Sequence, residues 1–200
     1  MSNVIIIVGL GNLGEEYINT PHNAGFEVIE VLLKKLEEEK VEFKETQTKK
    51  LALYDGKTKS RRVILGRPLT FMNKSGNAIR ELNEKHKLNA KNFILVHDDA
   101  DLPMGSIRLS YNSGSAGHKG VEDIIRALKT KEFYRFRIGT MPTVKRPRKR
   151  PKSIMNKLVT KKLMGADKQK MEKTVNLCAQ LIQDAVIEGV INTGKRNYVV

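Results

Sequence analysis

The stretch "VGLGNLGEEYINTPHNAGF" (8–26) places three glycines, Asn12 and His22 directly behind an apolar run. Gly9-Leu10-Gly11-Asn12-Leu13-Gly14 has the GxGxxG spacing of a loop that cradles a pyrophosphate. That chemistry needs a helix to begin inside the loop, so that free N–H groups and the helix dipole face the phosphate. Here Glu15 and Glu16 stand where the phosphate would approach, and "NTP" inserts a turn before helical periodicity starts. The acidic ribose partner is also misplaced, since Glu30 falls inside an amphipathic pattern and not at a strand tip. What remains is a backbone that glycine allows to bend sharply, presenting Asn12 at a strand end and His22 at a helix start.

Three later segments carry polar groups able to join those two, each beginning where an expected strand ends. Asn73 lies in "RPLTFMNKSG", Asp98 in "HDDADLPMG", and His118 with Lys119 in "SGSAGHKG". In a parallel sheet such loops converge on one edge. The carboxylates of "HDDAD" are also open to a second chemistry, a magnesium ion held beside phosphates, although no matching phosphate loop accompanies them. Four scattered histidines and one cysteine lack zinc-ligand spacing, so no metal is assigned.

The elements that must position these residues alternate along the chain. "NVIIIVG" (3–9) is a short apolar run expected of a strand buried on both faces of a parallel sheet. Phe26, Ile29, Leu32 and Leu36 recur at helical spacing and predict a helix over 22–39 that starts near Thr20-Pro21. "LALYDG" and "RRVILGRP" read as a hairpin, 72–87 as a helix, and "NFILVHDD" (92–99) as a second buried strand. "GSIRLS" and "FYRFRIGT" read as strands flanking a glycine-rich loop and a short helix over 121–129. Met171, Val175, Cys178, Ile182 and Ala185 mark one face of a closing helix, which makes Cys178 a core residue. The alternation predicts an α/β three-layer sandwich: a mixed, mostly parallel twisted sheet with helices on both faces. One domain over 1–200 is expected, with a basic loop at about 143–153 and helices at its C-terminal end.

Lys and Arg outnumber Asp and Glu 37 to 22, a formal charge of +15 that favours polyanions over neutral metabolites. "KRPRKRPK" (145–152) concentrates that charge in a segment able to lie along phosphates. No run approaches the ~18 apolar residues of a membrane span, and the amino terminus lacks the pattern of a secretory signal. A cytoplasmic, monomeric protein without membrane association is expected, and the single cysteine fits a reducing compartment.

Taken together in their order, "GLGNLGEEYINTPHNAGF", "RPLTFMNKSGNAI", "HDDADLPMGSIRL" and "SGSAGHKGVEDI" resemble the bacterial-type peptidyl-tRNA hydrolase family. The resemblance runs from Val4 to about Gly139 and implies hydrolysis of the ester joining a peptide to the 3' end of tRNA, with no metal or organic cofactor. It implies that His22 is the general base activating a water and that Asp98 orients its imidazole and stabilises the cation. Asn12 and Asn73 match amides that place the peptide and the reacting ester, and Tyr17 and Met72 match residues lining the same cleft, as do His118 and Lys119. Arg108 and Arg137 lie on strands near the expected active edge and are candidates to pair with acceptor-stem phosphates, as the family's basic patch does.

The chain departs from that pattern in places. Lys119 stands where the family commonly has asparagine, and a lysine can donate but cannot accept. Leu13 replaces a usual proline, Pro21 a usual arginine, and "GTMPT" a usual glycine-rich stretch. None removes the base or its orienting acid, but together with the net charge they leave a second reading: an RNA-binding protein on the same scaffold that does not cleave.

Overall fold

The computed structural model describes residues 4–141, 160–189, 191 and 196–200. At its centre is β1 (Val4–Gly9), whose side chains alternate between two cores: Ile5 and Ile7 face one, Ile6 and Val8 the other. The same alternation marks β4 (Arg62–Pro68) and β5 (Phe93–Pro103), with Val63, Leu65, Ile94 and Val96 on the first side and Ile64, Phe93 and Leu95 on the second. Burial on both faces is why these strands read as continuous apolar runs.

Among the described residues, eight strands follow the order β2-β3-β4-β1-β5-β7-β6-β8, the others being β2 (Phe43–Gln47), β3 (Leu51–Lys57), β6 (Ser106–Tyr111), β7 (Tyr134–Met141) and β8 (Asn197–Val199). The four central strands, β4, β1, β5 and β7, are parallel to one another. Both flanks are antiparallel. On one face lie α1 (Ala24–Glu38) and α4 (Gly165–Glu188), on the other α2 (Ser75–His86) and α3 (Lys119–Leu128). The three-layer α/β sandwich expected from the alternation is therefore present, with the parallel part of its mixed sheet confined to the centre.

Local differences from the expected elements bear on the site. Two expected helices open with single 3-10 turns, Pro21–Asn23 before α1 and Met72–Lys74 before α2, so His22 and Asn73 sit on tight turns and not within helices. β5 runs past its expected end to Pro103 and pairs with β7 through a register shift between Asp99 and Pro103. β2 escaped the sequence because "FKETQ" is a flank strand with no buried residue, and β8 because it is only three residues long. Cys178 is buried in the α1/α4 core, where desolvation pushes its thiol up. The basic stretch at about 143–153 lies outside the described residues.

The glycine string serves packing. A Cβ at Gly25 would lie 2.5 Å from the Leu10 nitrogen and from the Val96 carbonyl oxygen, and one at Gly9 would collide with the Gly25 carbonyl. The start of α1 can thus press directly onto the end of β1, which carries the turn bearing His22 to the sheet edge.

On the outer side of α1, Glu27 is pushed up to about 7 by burial and by the neighbouring Glu30 and Glu172, against a smaller opposing effect of Lys168. Its folded form holds a proton that the unfolded chain has released, so stability should fall as pH rises between the ordinary glutamate range and about 7. Glu27→Gln is expected to raise Tm at pH 8 by about 2–4 °C, for a gain of roughly 1 kcal/mol, and to do little at pH 4. Thermal melts at the two pH values check this; an equal shift at both would remove the titration as the cause.

Candidate active site

The loops at the carboxyl ends of β1, β4 and β5 and the turn before α3 meet over a cleft of about 380 Å³. Asn12, Tyr17, His22, Met72, Asn73, Asp98, His118 and Lys119 all line it. Chain separations are large, as with His22 and Asp98, so their meeting is a product of topology: β4 and β5 flank β1 in parallel and deliver their ends to one edge.

Asp98 is the hub. It is 2 % exposed, and its Oδ1 accepts from His22 Nδ1 at 2.8 Å and from His118 Nε2 at 3.0 Å. Burial alone would raise its pKa, but the two histidines outweigh this and hold the carboxyl well below the usual carboxylate range. With Nδ1–H committed to Asp98, the lone pair of neutral His22 resides on Nε2. Desolvation lowers the pKa of His22 and so does Lys119, yet the charge and hydrogen bond of Asp98 prevail and the net direction is upward from 6.5.

The tautomer of His118 is fixed by secondary structure. His118 is the N-cap of α3, and its Nδ1 accepts from the Val121 N–H at 3.3 Å. Nδ1 is therefore an acceptor, and Nε2 must carry the proton given to Asp98. His97, also beneath the cleft, is fully buried and hydrogen-bonds the Asp98 carbonyl through Nδ1 at 2.7 Å, with its ring 4.8 Å from that of His118. Desolvation and the neighbouring cations keep it neutral, so it supports the dyad from below without entering the cleft.

Asn12 is clamped by a residue that motif reading passed over. Its backbone N–H donates to Asn23 Oδ1 at 2.8 Å, and Asn23 Nδ2 donates back to the Asn12 carbonyl at 3.2 Å. The Met72 N–H donates to Asn12 Oδ1 at 3.0 Å. This settles which way the amide points: its oxygen is taken, leaving the NH2 group as the donor available to the cleft. Asn73, by contrast, is exposed on the adjoining turn. Phe71, 69 % exposed, Asp99 and Asp101 also line the cleft, although only the adjacency of Phe71 to Met72 and of the acids to Asp98 hinted at it.

Arg108 and Arg137 fare differently. They are directly opposed on β6 and β7 but are not among the cleft-lining residues. Arg137 is half-buried and its Nε donates to Asp99 Oδ2 at 2.6 Å, while Arg108 Nε donates to Asn197 of β8 at 2.9 Å. The cations expected at the active edge thus form a row beside the cleft, each already holding a partner.

His22 Nδ1, Asp98 Oδ1 and His118 Nε2 lie within 4.8 Å of one another, a spacing that a divalent metal could accept. The donor set fits poorly. Metal binding would require His118 to surrender the proton on Nε2 and carry it on Nδ1, against the Val121 N–H at the start of α3. The "HDDAD" acids do not converge as a magnesium site either: Asp98 serves the histidines, and Asp99 accepts from Arg137 and from the Asp101 N–H.

Fold and site together define an α/β protein with a histidine–carboxylate pair at the carboxyl edge of a parallel sheet, the grouping used in general-base chemistry. The family model described as peptidyl-tRNA hydrolase matches residues 6–198. A peptidyl-tRNA hydrolase of Carboxydothermus hydrogenoformans is 37% identical over 187 residues, covering 93% of this chain and 94% of the relative. One from Aquifex aeolicus is 43% identical over 148 residues, covering 74% and 73%. A crystal structure of peptidyl-tRNA hydrolase from Acinetobacter baumannii superposes with a TM-score of 0.81 at 28% identity, covering 94% of this chain and 91% of that one. The chain belongs to the peptidyl-tRNA hydrolase family.

Proposed function

We propose that this protein hydrolyses the ester between peptide and tRNA in peptidyl-tRNA, releasing both for reuse in the cytoplasm, and that His22 and Asp98 carry the chemistry. Family membership supports the reaction, and the observation that carries the residue assignment is the shared Asp98 oxygen between His22 and His118. His22 Nε2 takes a proton from water as the oxygen attacks the ester carbonyl carbon. Asp98 meets the developing imidazolium with a charge already in place, so little reorganisation accompanies proton transfer. The Asn12 amide donates to the carbonyl oxygen as negative charge builds there, held in that orientation by Met72 and Asn23. When the tetrahedral adduct collapses, the bond from the carbonyl carbon to the ribose oxygen breaks and the proton on His22 passes to that oxygen; the hydroxyl from the water stays on the peptide as its new carboxyl group, and neutral His22 is restored. Asn73, Tyr17 and Met72 place the peptide along the cleft wall.

Purified protein is expected to release peptide from N-blocked aminoacyl-tRNA at an undiminished rate in chelator. No release under any condition would reject the function, and loss of release on chelation restored by added metal would reject the metal-free mechanism.

The phosphate role falls on the arginine row beside the cleft. A nucleotide stem contacts it through backbone phosphates, which compete with Asn197 for Arg108 and with Asp99 for Arg137. Arg108→Ala is expected to raise KM several-fold with kcat little changed, and to reduce the slope of log binding constant against log salt by about 1. An unchanged slope in titrations across salt concentrations would take Arg108 out of the interface.

A further inference from the structure

Among the described residues lining the cleft, Lys119 is the one lysine or arginine. It is exposed, it makes no ion pair among the described residues, and it opens α3 directly after the His118 cap. Two of the cleft's three acids are held by other residues, Asp98 between two histidines and Asp99 on Arg137; the third, Asp101, forms no ion pair with Lys119 among the described residues. Lys119 thus offers a charge that no ion pair among the described residues neutralises, close enough to His22 to depress its basicity. It also stands where the resembled family carries a neutral amide.

With the acyl carbonyl of the proposed substrate on the Asn12 amide and the attacking water on His22, the terminal ribose lies in the cleft. The nearest formal charge on the substrate is then the phosphodiester that joins this nucleoside to the chain. A flexible ammonium is suited to meet that group as a point charge, without the fixed geometry a guanidinium demands. We propose that Lys119 binds the phosphodiester on the 5' side of the terminal adenosine, making recognition of the last internucleotide linkage part of the cleft. This rests on the hydrolase reading above and adds a contact to it.

The test compares two small esters, 3'-O-(N-acetylaminoacyl)adenosine with a free 5'-hydroxyl and the same ester carrying a 5'-methyl phosphodiester, alongside intact N-acetylaminoacyl-tRNA. The wild-type chain should prefer the phosphodiester by roughly tenfold in kcat/KM. Lys119→Asn should bring the two within about twofold, Lys119→Arg should keep most of the preference, and Lys119→Glu should reverse it. An equal loss on both esters in Lys119→Asn would make the lysine a general aid to the reacting carbonyl and overturn the proposal. So would the absence of any preference in the wild type, or cleavage of intact substrate with neither small ester turned over. Failure to cleave the intact substrate would instead strike the hydrolase reading itself.

Discussion

His22→Ala should lower kcat for N-blocked aminoacyl-tRNA by about 10²–10⁴, the contribution of a positioned general base, while tRNA affinity stays within about threefold. The reasoning is local. His22 is the side chain whose free ring nitrogen combines exposure to the cleft with a hydrogen-bonded carboxylate behind it, since the corresponding nitrogen of His118 is spent on capping α3. Nucleotide binding is assigned to Arg108, Arg137 and Lys119, none of which touches His22 by a hydrogen bond. The wild-type pH profile of kcat/KM should rise through an apparent pKa above 6.5, because neutral His22 is the active form and Asp98 raises its pKa. That limb should be missing from whatever activity the variant retains. Turnover equal to wild type would reject the base assignment, and a matching fall in tRNA affinity would make His22 a binding residue.

How much of this site the sequence carries depends on what holds each residue. Asn12, His22, Asn73 and Asp98 are legible because each lies near the carboxyl end of an apolar run that marks a central strand, and central parallel strands end at one edge. His118 instead follows the antiparallel flank strand β6 and is legible from its glycine-rich loop. The tautomer of His118 is not. It turns on where α3 begins, and the pattern placed that start at Val121, whereas the helix begins at Lys119 and makes His118 its cap. The arginines show the same limit. Alternation in "FYRFRIGT" predicts that Arg135 and Arg137 share a face, but not that Asp99 would reach Arg137 from an extended β5, or that a three-residue β8 would bring Asn197 to Arg108. Asn23 was overlooked for another reason: its role is to hold a backbone, which no residue-type pattern advertises. Fold-level features come from periodicity summed over many residues, and polar partnerships from single contacts between distant segments.

Asp98→Asn separates charge from orientation in a way the geometry makes unusually clean. Both histidines donate to the same oxygen, Oδ1, so an asparagine with its carbonyl oxygen in that place keeps both hydrogen bonds and both ring positions. Only the negative charge is lost. If Asp98 served merely to aim His22, the variant would work nearly as well as the parent. If it stabilises the imidazolium as the water proton arrives, kcat should drop on the order of 10²–10³, less than when an amide also forces the wrong tautomer. A second signature accompanies the first. Without the carboxylate, the influences left on His22 are burial and Lys119, both of which lower its pKa, so the acid limb of the pH profile should move below 6.5. A weaker base that titrates at lower pH and turns over slowly across the whole range is the combined outcome that charge stabilisation requires. A slow variant with an unmoved limb would instead mean that the limb does not report His22, which a pH titration of the His22 ring by NMR would reveal directly.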